Sequence, residues 1–205
     1  LGGIEASLRR ISHYDLASDS VRRSVLLDAK ADVLVYGMAE GTVVELAQHY
    51  RQGKDIAAIR GICTVARGVP EPAEGFGGPD LELPAHAEVA SDKAAFIAMF
   101  RAFYENSEPL TARRMIQRQN TRFLVHNPPP PPLAGGELDR IPEPPFARAA
   151  PPFCAPQGRV PALDTIRFSL TTHRGCYGEC RFCAIAVHQG RQVVSRSQAS
   201  LLREA

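Results

Sequence analysis

The pattern of hydrophobic and polar positions predicts alternating strands and helices in residues 1–60. The run 32–37 has the composition of a buried strand and ends at a glycine. Over 41–51 apolar residues recur at helical spacing, with an apolar face of Val43, Val44, Leu46, Ala47 and Tyr50. Another helix is predicted around 20–28. Alternation of this kind predicts part of a doubly wound α/β sheet.

The pattern changes in residues 61–127. A short apolar run over 61–66 predicts a strand, and an amphipathic stretch over 91–106 predicts a helix with an aromatic stripe facing the core. Two further strands, 115–119 and 122–125, are separated by two polar residues and so predict a hairpin. We expect a small α+β connecting subdomain here.

Residues 128–161 hold twelve of the seventeen prolines, including the run Pro128–Pro132. Successive prolines favour an extended polyproline II conformation, which is stiff and lacks backbone N–H donors. The segment is therefore interpreted as a strap that links two domains across a surface. A ligand for an SH3-like partner domain is the alternative.

The last segment, 162–205, begins with polar and apolar residues that alternate over Thr165–Leu170, which predicts a short strand. A cysteine-rich loop follows, and Ser197 is a candidate N-cap for a helix after it. Strand, loop and helix would form the first βα unit of a parallel barrel, in which reactive groups lie on loops after the strands. The predicted fold class is thus α/β, with a partial doubly wound sheet, the subdomain, the strap and an incomplete barrel.

Composition changes this picture little. Hydrophobic residues make up 44% of the 205 and charged residues 22%, with a net charge of +2, as in ordinary globular proteins. No apolar run approaches the ~20 residues that span a bilayer, so we expect a cytoplasmic protein without a membrane partner. From residue 165 onward six arginines face two glutamates. This excess suits anionic ligands but, without lysine runs or interleaved aromatic residues, gives only thin support for nucleic-acid binding.

Three of the five cysteines carry the candidate chemistry. Cys176, Cys180 and Cys183 have the spacing C-x3-C-x2-C, with Phe182 just before the third. Three thiolates this close can hold three corners of a cubane iron–sulfur cluster and leave the fourth iron open, whereas ferredoxin clusters use four cysteines. The open iron indicates chemistry at the cluster rather than electron storage.

Other uses of these cysteines stay open on spacing alone. A structural zinc site could take His173 or His188 as its fourth ligand, although neither gives the usual layout of two ligand pairs. A disulfide framework does not suit an odd number of cysteines. Cys63, in an apolar run, is interpreted as a small buried hydrophobe, and Cys154 as a free thiol or an occasional fourth ligand.

Longer motifs around the cysteines resemble the YgiQ family of uncharacterised radical S-adenosylmethionine (SAM) proteins. These motifs are 173–176, 180–183, 188–191 and 195–197, and the stretches 1–10, 13–15, 21–24 and 34–38 resemble the N-terminal region of that family. The resemblance implies that Cys176, Cys180 and Cys183 bind a [4Fe-4S] cluster whose open iron takes SAM. Phe182 would pack near its adenine.

The resemblance also implies an activity. An electron donor would reduce the cluster, and SAM would be cleaved to a 5′-deoxyadenosyl radical that abstracts hydrogen from an unknown substrate. Arg174 and Arg181 flank the cysteines, where they could moderate the charge of the cluster or simply serve as solvated surface residues.

Residues 1–60 also look like the C-terminal part of the cobalamin-binding-like domain that precedes many radical SAM barrels. The histidine motif that would ligate cobalt is not present, and His13 is interpreted as a surface or turn residue, so cobalamin binding cannot be claimed. The sequence is expected to be an internal fragment that is inactive alone.

Two functional hypotheses therefore stand. The first is a radical SAM enzyme of unknown reaction. The second is a non-catalytic interaction module that binds zinc through Cys176, Cys180, Cys183 and a histidine.

Overall fold

The computed structural model of the protein describes residues 1–72 and 75–205. Up to residue 127 the elements are α1 (Gly3–Leu8), β1 (His13–Asp15), β2 (Ser20–Arg22), α2 (Val25–Asp28), β3 (Leu34–Val35), α3 (Glu40–Gln52), β4 (Ile62–Ala66), β5 (Leu81–Leu83), α4 (His86–Ser91), α5 (Lys93–Glu105), β6 (Met115–Gln119) and β7 (Arg122–His126). Five of these strands form one mixed sheet in the order β3-β4-β7-β6-β5. The predicted boundary near residue 60 thus lies between two hydrogen-bonded strands, β3 and β4.

Side chains that alternate along β3 divide the core into two clusters. Leu34 belongs to a large cluster with Met99 of α5 and Leu124 of β7. Val33 and Val35 point the other way and pack in a smaller cluster against which Leu46 of α3 lies. Burying each large aliphatic side chain contributes about 1.5–3 kcal/mol, so both faces of this edge of the sheet are stabilised by burial.

Helices α3 and α5 and the β6–β7 hairpin form where the sequence predicts them. The apolar face predicted for α3 is wrong in most positions, because Leu46 packs against the core but Val43, Val44 and Tyr50 are more than half exposed. The aromatic stripe of α5 faces the core only in part, through Phe96 and Phe103.

In the hairpin turn Asn120 has φ +60°, a left-handed conformation that asparagine tolerates. Helix α3 ends at Gly53, whose φ of +62° provides a left-handed cap. No helix within the described ranges is both long and apolar enough to cross a membrane.

The predicted doubly wound sheet is wrong in its strand pairing. Only β5 and β6 are parallel, and every other pair of neighbours in the sheet is antiparallel. The helix predicted over 20–28 is also too long. Residues 20–22 instead form β2, which pairs with β1. Helix α2 starts after Ser24, because the Ser24 hydroxyl accepts a hydrogen bond from the N–H of Leu26 and so caps the helix.

The proline-rich segment is extended over only part of its length. Gly61 N donates to the carbonyl of Pro128, which joins the start of the segment to β4. Beyond the proline run lie α6 (Gly135–Arg140), a 3₁₀ helix (Pro152–Gln157) and α7 (Pro161–Ile166). In α6 the Glu137 carboxylate accepts from the N–H of Ala134 and so caps the helix start.

The strand predicted over Thr165–Leu170 is wrong. Pro161 stands at the first position of α7, where its fixed φ favours a helix. No described strand pairs with 165–170, and an alternating pattern needs a hydrogen-bonded neighbour to become a strand. The last elements are β8 (His173–Arg174), α8 (Ile185–Gln189), β9 (Val194–Ser195) and α9 (Gln198–Glu204).

The cysteine loop therefore follows a short strand, β8, that pairs antiparallel with β9. The predicted N-cap of the last helix is confirmed, since the Ser197 hydroxyl accepts from the N–H of Ser200 at 3.1 Å. The barrel itself and the division into domains stay predictions.

Candidate functional site

The cysteine loop lies between β8 and α8, and two hydrogen bonds hold its start. Cys176 N donates to the carbonyl of Gly190 at 3.1 Å. Gly175 N donates to the side-chain oxygen of Gln189 at 3.0 Å. Residues that follow the loop thus fix the position of its first cysteine.

Two glycines shape the loop. Gly175 has φ +87°, and a Cβ there would lie 1.8 Å from the carbonyl oxygen of Gln192, so no other residue fits. A Cβ at Gly178 would lie 3.4 Å from the sulfur of Cys176 and 3.8 Å from that of Cys180. Gly178 N also donates to the Cys176 sulfur at 3.4 Å. Backbone hydrogen bonds to sulfur are among the features that tune iron–sulfur clusters.

The three thiols have the donor chemistry for a cluster, but the loop does not hold them as a preformed metal site. All three are free, with Cys180 exposed and Cys176 and Cys183 half-buried. In the described part of the chain no three His, Cys, Asp or Glu side chains are grouped so as to hold a metal ion. Three thiols in one glycine-containing loop with an N–H directed at sulfur fit a [4Fe-4S] cluster in donor type and number.

The two histidines considered as zinc ligands lie in different settings. The Nδ1 atom of His188, on α8, lies 2.8 Å from the hydroxyl of Ser7 on α1. Burial, and then the charges of Arg10 and Arg174, lower the pKa of His188. His173 is exposed and contacts the hydroxyl of Thr172.

The remaining two cysteines, Cys63 and Cys154, lie outside the cysteine loop. Cys63 is fully buried in the core, as predicted, and burial raises the pKa of its thiol to about 12. Cys154 lies half-buried in the 3₁₀ helix as a free thiol.

Arg174, two residues before the first cysteine, is anchored to the N-terminal region rather than solvated. Its guanidinium forms an ion pair with Glu40, the first residue of α3, at 2.5 Å. Burial alone would raise the pKa of Glu40, but the hydrogen bond and charge of Arg174 outweigh it, and the pKa is lowered. One oxygen of Glu40 and one nitrogen of Arg174 are buried without a further partner in the described structure.

A cavity of about 700 Å³ lies beside the cysteine loop. Its walls come from α1, the end of β3, α5, the proline run and the loop itself, and they include Cys180 and Cys183. Cavities of this size accept small organic ligands. Phe182 is not part of this wall, and its ring is 93% exposed.

Local sequence patterns do not reveal the N-terminal side of this cavity. Arg10, Tyr36 and His126 line it, yet no spacing rule connects them with a loop near residue 180. The signal available was the position of Arg10 within one of the stretches that resemble the family.

Comparisons with known proteins show the family of the chain. A family model described as radical SAM N-terminal matches residues 1–169, and thus ends before the cysteine loop. Curated UPF0313 proteins match the loop as well: one from Fusobacterium nucleatum is 45% identical over 204 residues, covering 100% of this chain and 35% of the relative. Relatives from Methanosarcina acetivorans and Methanocella arvoryzae are 43% and 44% identical, covering 100% and 99% of this chain and 30% and 33% of their own lengths. No solved structure matches.

An N-terminal region of this type followed by a C-x3-C-x2-C loop defines a class, the radical SAM proteins. Within that class the chain belongs to the UPF0313 family, the YgiQ-like radical SAM proteins, which confirms the resemblance. The chain spans about a third of the length of the curated relatives it matches.

Proposed function

We propose that the full-length protein is a radical SAM enzyme in which Cys176, Cys180 and Cys183 hold a [4Fe-4S] cluster. The observation that carries the proposal is the set of three free thiols in one loop, two of them on the wall of a 700 Å³ cavity. A cluster held there would supply the electron that cleaves SAM to methionine and a 5′-deoxyadenosyl radical, which would take a hydrogen atom from the substrate.

The residues around the loop would hold it in position for the cluster. Gln189 and Gly190 hold the backbone at Gly175 and Cys176, and Arg174 ties the start of the loop to Glu40. The Gly178 N–H bond to the Cys176 sulfur would offset part of the negative charge of a ligated thiolate.

The other parts of the site follow from the family. Phe182, which makes little contact within the chain, is available to cover the adenine of SAM. An electron donor would reduce the cluster, and the chain would work in the cytoplasm as one part of a longer enzyme whose barrel begins in 162–205.

The test is anaerobic iron–sulfur reconstitution of the full-length protein, followed by EPR of the reduced cluster with and without SAM. A [4Fe-4S]⁺ signal whose shape changes when SAM is added supports the proposal, because only an iron without a protein ligand can bind SAM. Cys180→Ala should abolish the cluster. The matched control, Cys154→Ala, should leave the iron content unchanged.

Two results would contradict the proposal. If the Cys154 variant lost iron as completely as the Cys180 variant, the cluster would have four cysteine ligands and no open iron. If the protein bound one zinc ion tightly and assembled no cluster, the zinc-binding interaction module would replace the enzyme.

A further inference from the structure

Arg10 differs from the other buried arginines of the described structure. Arg114 forms hydrogen bonds with the carboxylate of Asp80, and Arg196 forms an ion pair with Glu204. Arg10 is 5% exposed, yet in the described ranges no carboxylate lies within ion-pair distance of it. A buried charge is normally paired, since removing it from water is costly.

Aromatic rings and neutral acceptors hold the Arg10 guanidinium in place. It lies between the rings of Tyr36 and Phe103, 4.4 and 4.5 Å from their centroids. Its Nε donates to His126 Nε2 at 2.9 Å, and another nitrogen donates to the backbone carbonyl of Ser7. These contacts orient the cation but contribute no negative charge.

His126 holds the Arg10 guanidinium as a neutral acceptor and adds no negative charge. Because its Nε2 accepts from Arg10, the ring proton of the neutral tautomer is on Nδ1. That atom is buried and has no partner in the described structure, and the residue is 2% exposed. Burial, and then the charge of Arg10, lower the pKa of His126 well below its usual value, so the ring is neutral at pH 7.

The charges on the cavity wall leave cations in excess. The charged lining residues are Arg10, Arg174, Arg181, Arg191, Glu108 and Glu179. Arg174 is paired with Glu40 and Arg191 with Glu179. Much of the remaining wall is apolar and includes Met38, Phe100, Pro130 and Leu133.

We infer that this cavity binds the substrate of the proposed radical reaction, and that the substrate is an organic anion: a carboxylate or phosphate on an aromatic or apolar body. The anion would pair with Arg10, while the body would lie against the apolar wall. Cys180 and Cys183 line the same cavity, so the substrate would lie close to the cluster. SAM itself suits this wall less well, because it carries two positive charges and one negative.

That the bound anion is a substrate rests on the proposed function, but binding of an anion in this cavity can be tested without a cluster. The probes are 8-anilinonaphthalene-1-sulfonate, an aromatic anion, and N-phenyl-1-naphthylamine, the same skeleton without the sulfonate. Fluorescence titration of the full-length protein should show that the sulfonate probe binds about tenfold more tightly, the value of one charge-assisted hydrogen bond. Arg10→Met should abolish that preference, and Arg10→Lys should restore part of it.

The matched control is Arg118→Met, an exposed arginine on β6 outside the cavity, which should keep the preference. Circular dichroism would check the fold of each variant. If Arg10→Met does not fold, Arg181→Gln in the exposed loop should still weaken binding of the anionic probe and not of the neutral one.

Equal affinity for both probes in the wild-type protein, or an equal loss of preference in Arg118→Met, would overturn the inference. Displacement of the anionic probe by SAM would also overturn it, since the cavity would then belong to the cofactor. If the protein assembles no cluster but still prefers the anionic probe in a way that depends on Arg10, only the proposed radical chemistry is contradicted.

Discussion

Glu40 at the start of α3 and Arg174 before the first loop cysteine form an ion pair, 2.5 Å between Oε1 and Nη2. The pair joins the N-terminal part of the chain to the cysteine loop. The Ser7–His188 contact between α1 and α8 makes a second connection close by. The position of the loop therefore depends on residues far away in the sequence.

Glu40→Gln should destabilise the protein, because Arg174 would keep its charge in a half-buried site without a carboxylate. We expect a loss of about 1–3 kcal/mol in the free energy of unfolding, measured by urea denaturation. Glu45→Gln, an exposed change on the same helix, is the control and should cost less than about 0.5 kcal/mol. If both variants lost the same stability, the ion pair would contribute nothing specific.

Gly175→Ala should prevent cluster assembly. The new Cβ would meet the Gln192 carbonyl at 1.8 Å and displace the backbone next to Cys176. Gly53→Ala, at the end of α3, is the matched control, because Gly53 also has a positive φ, +62°, but open space around it, so the change adds only the strain of about 1–2 kcal/mol. Iron per chain after reconstitution is the measurement, and equal iron content in the two variants would contradict the steric argument.

The free energy of unfolding should fall as the pH drops below about 6.5, the ordinary value for histidine. The pKa of His126 is lowered in the folded state, so the unfolded state binds its proton first and gains stability as the pH falls. Each pH unit between the unfolded and folded pKa values costs up to about 1.4 kcal/mol for this group. His126→Gln, which keeps an acceptor for Arg10 but does not titrate, should show a smaller slope between pH 7.5 and 5.5. An unchanged slope would exclude His126 as a source of the pH dependence of the free energy of unfolding.

Alkylation with iodoacetamide should distinguish the cysteines. In the protein without a cluster, exposed Cys180 should react quickly, while Cys63 should react only on unfolding because it is fully buried with a pKa of about 12. After reconstitution Cys176, Cys180 and Cys183 should all be protected, with Cys154 as the internal comparison. Mass spectrometry of the digested protein gives the extent at each site, and rapid alkylation of Cys63 in the native state would contradict its placement in the core.

Local pattern was enough to predict several elements. The apolar spacing over α3 and α5, the two-residue turn of the β6–β7 hairpin and the N-cap at Ser197 each act within a few residues, so the sequence predicts them directly. The C-x3-C-x2-C spacing likewise identifies the candidate ligands, because it places three thiols within one short loop, although the described structure does not group them as a metal site.

Only the tertiary structure decided which distant segments meet. The alternation over 165–170 was compatible with a strand, but no described strand pairs with it and Pro161 starts a helix instead. The mixed sheet, the Glu40–Arg174 pair and the cavity wall of Arg10 and His126 all join residues far apart in sequence. Strand pairing and buried charge depend on which long-range partners are available, and a local period of two or 3.6 residues carries no information about them.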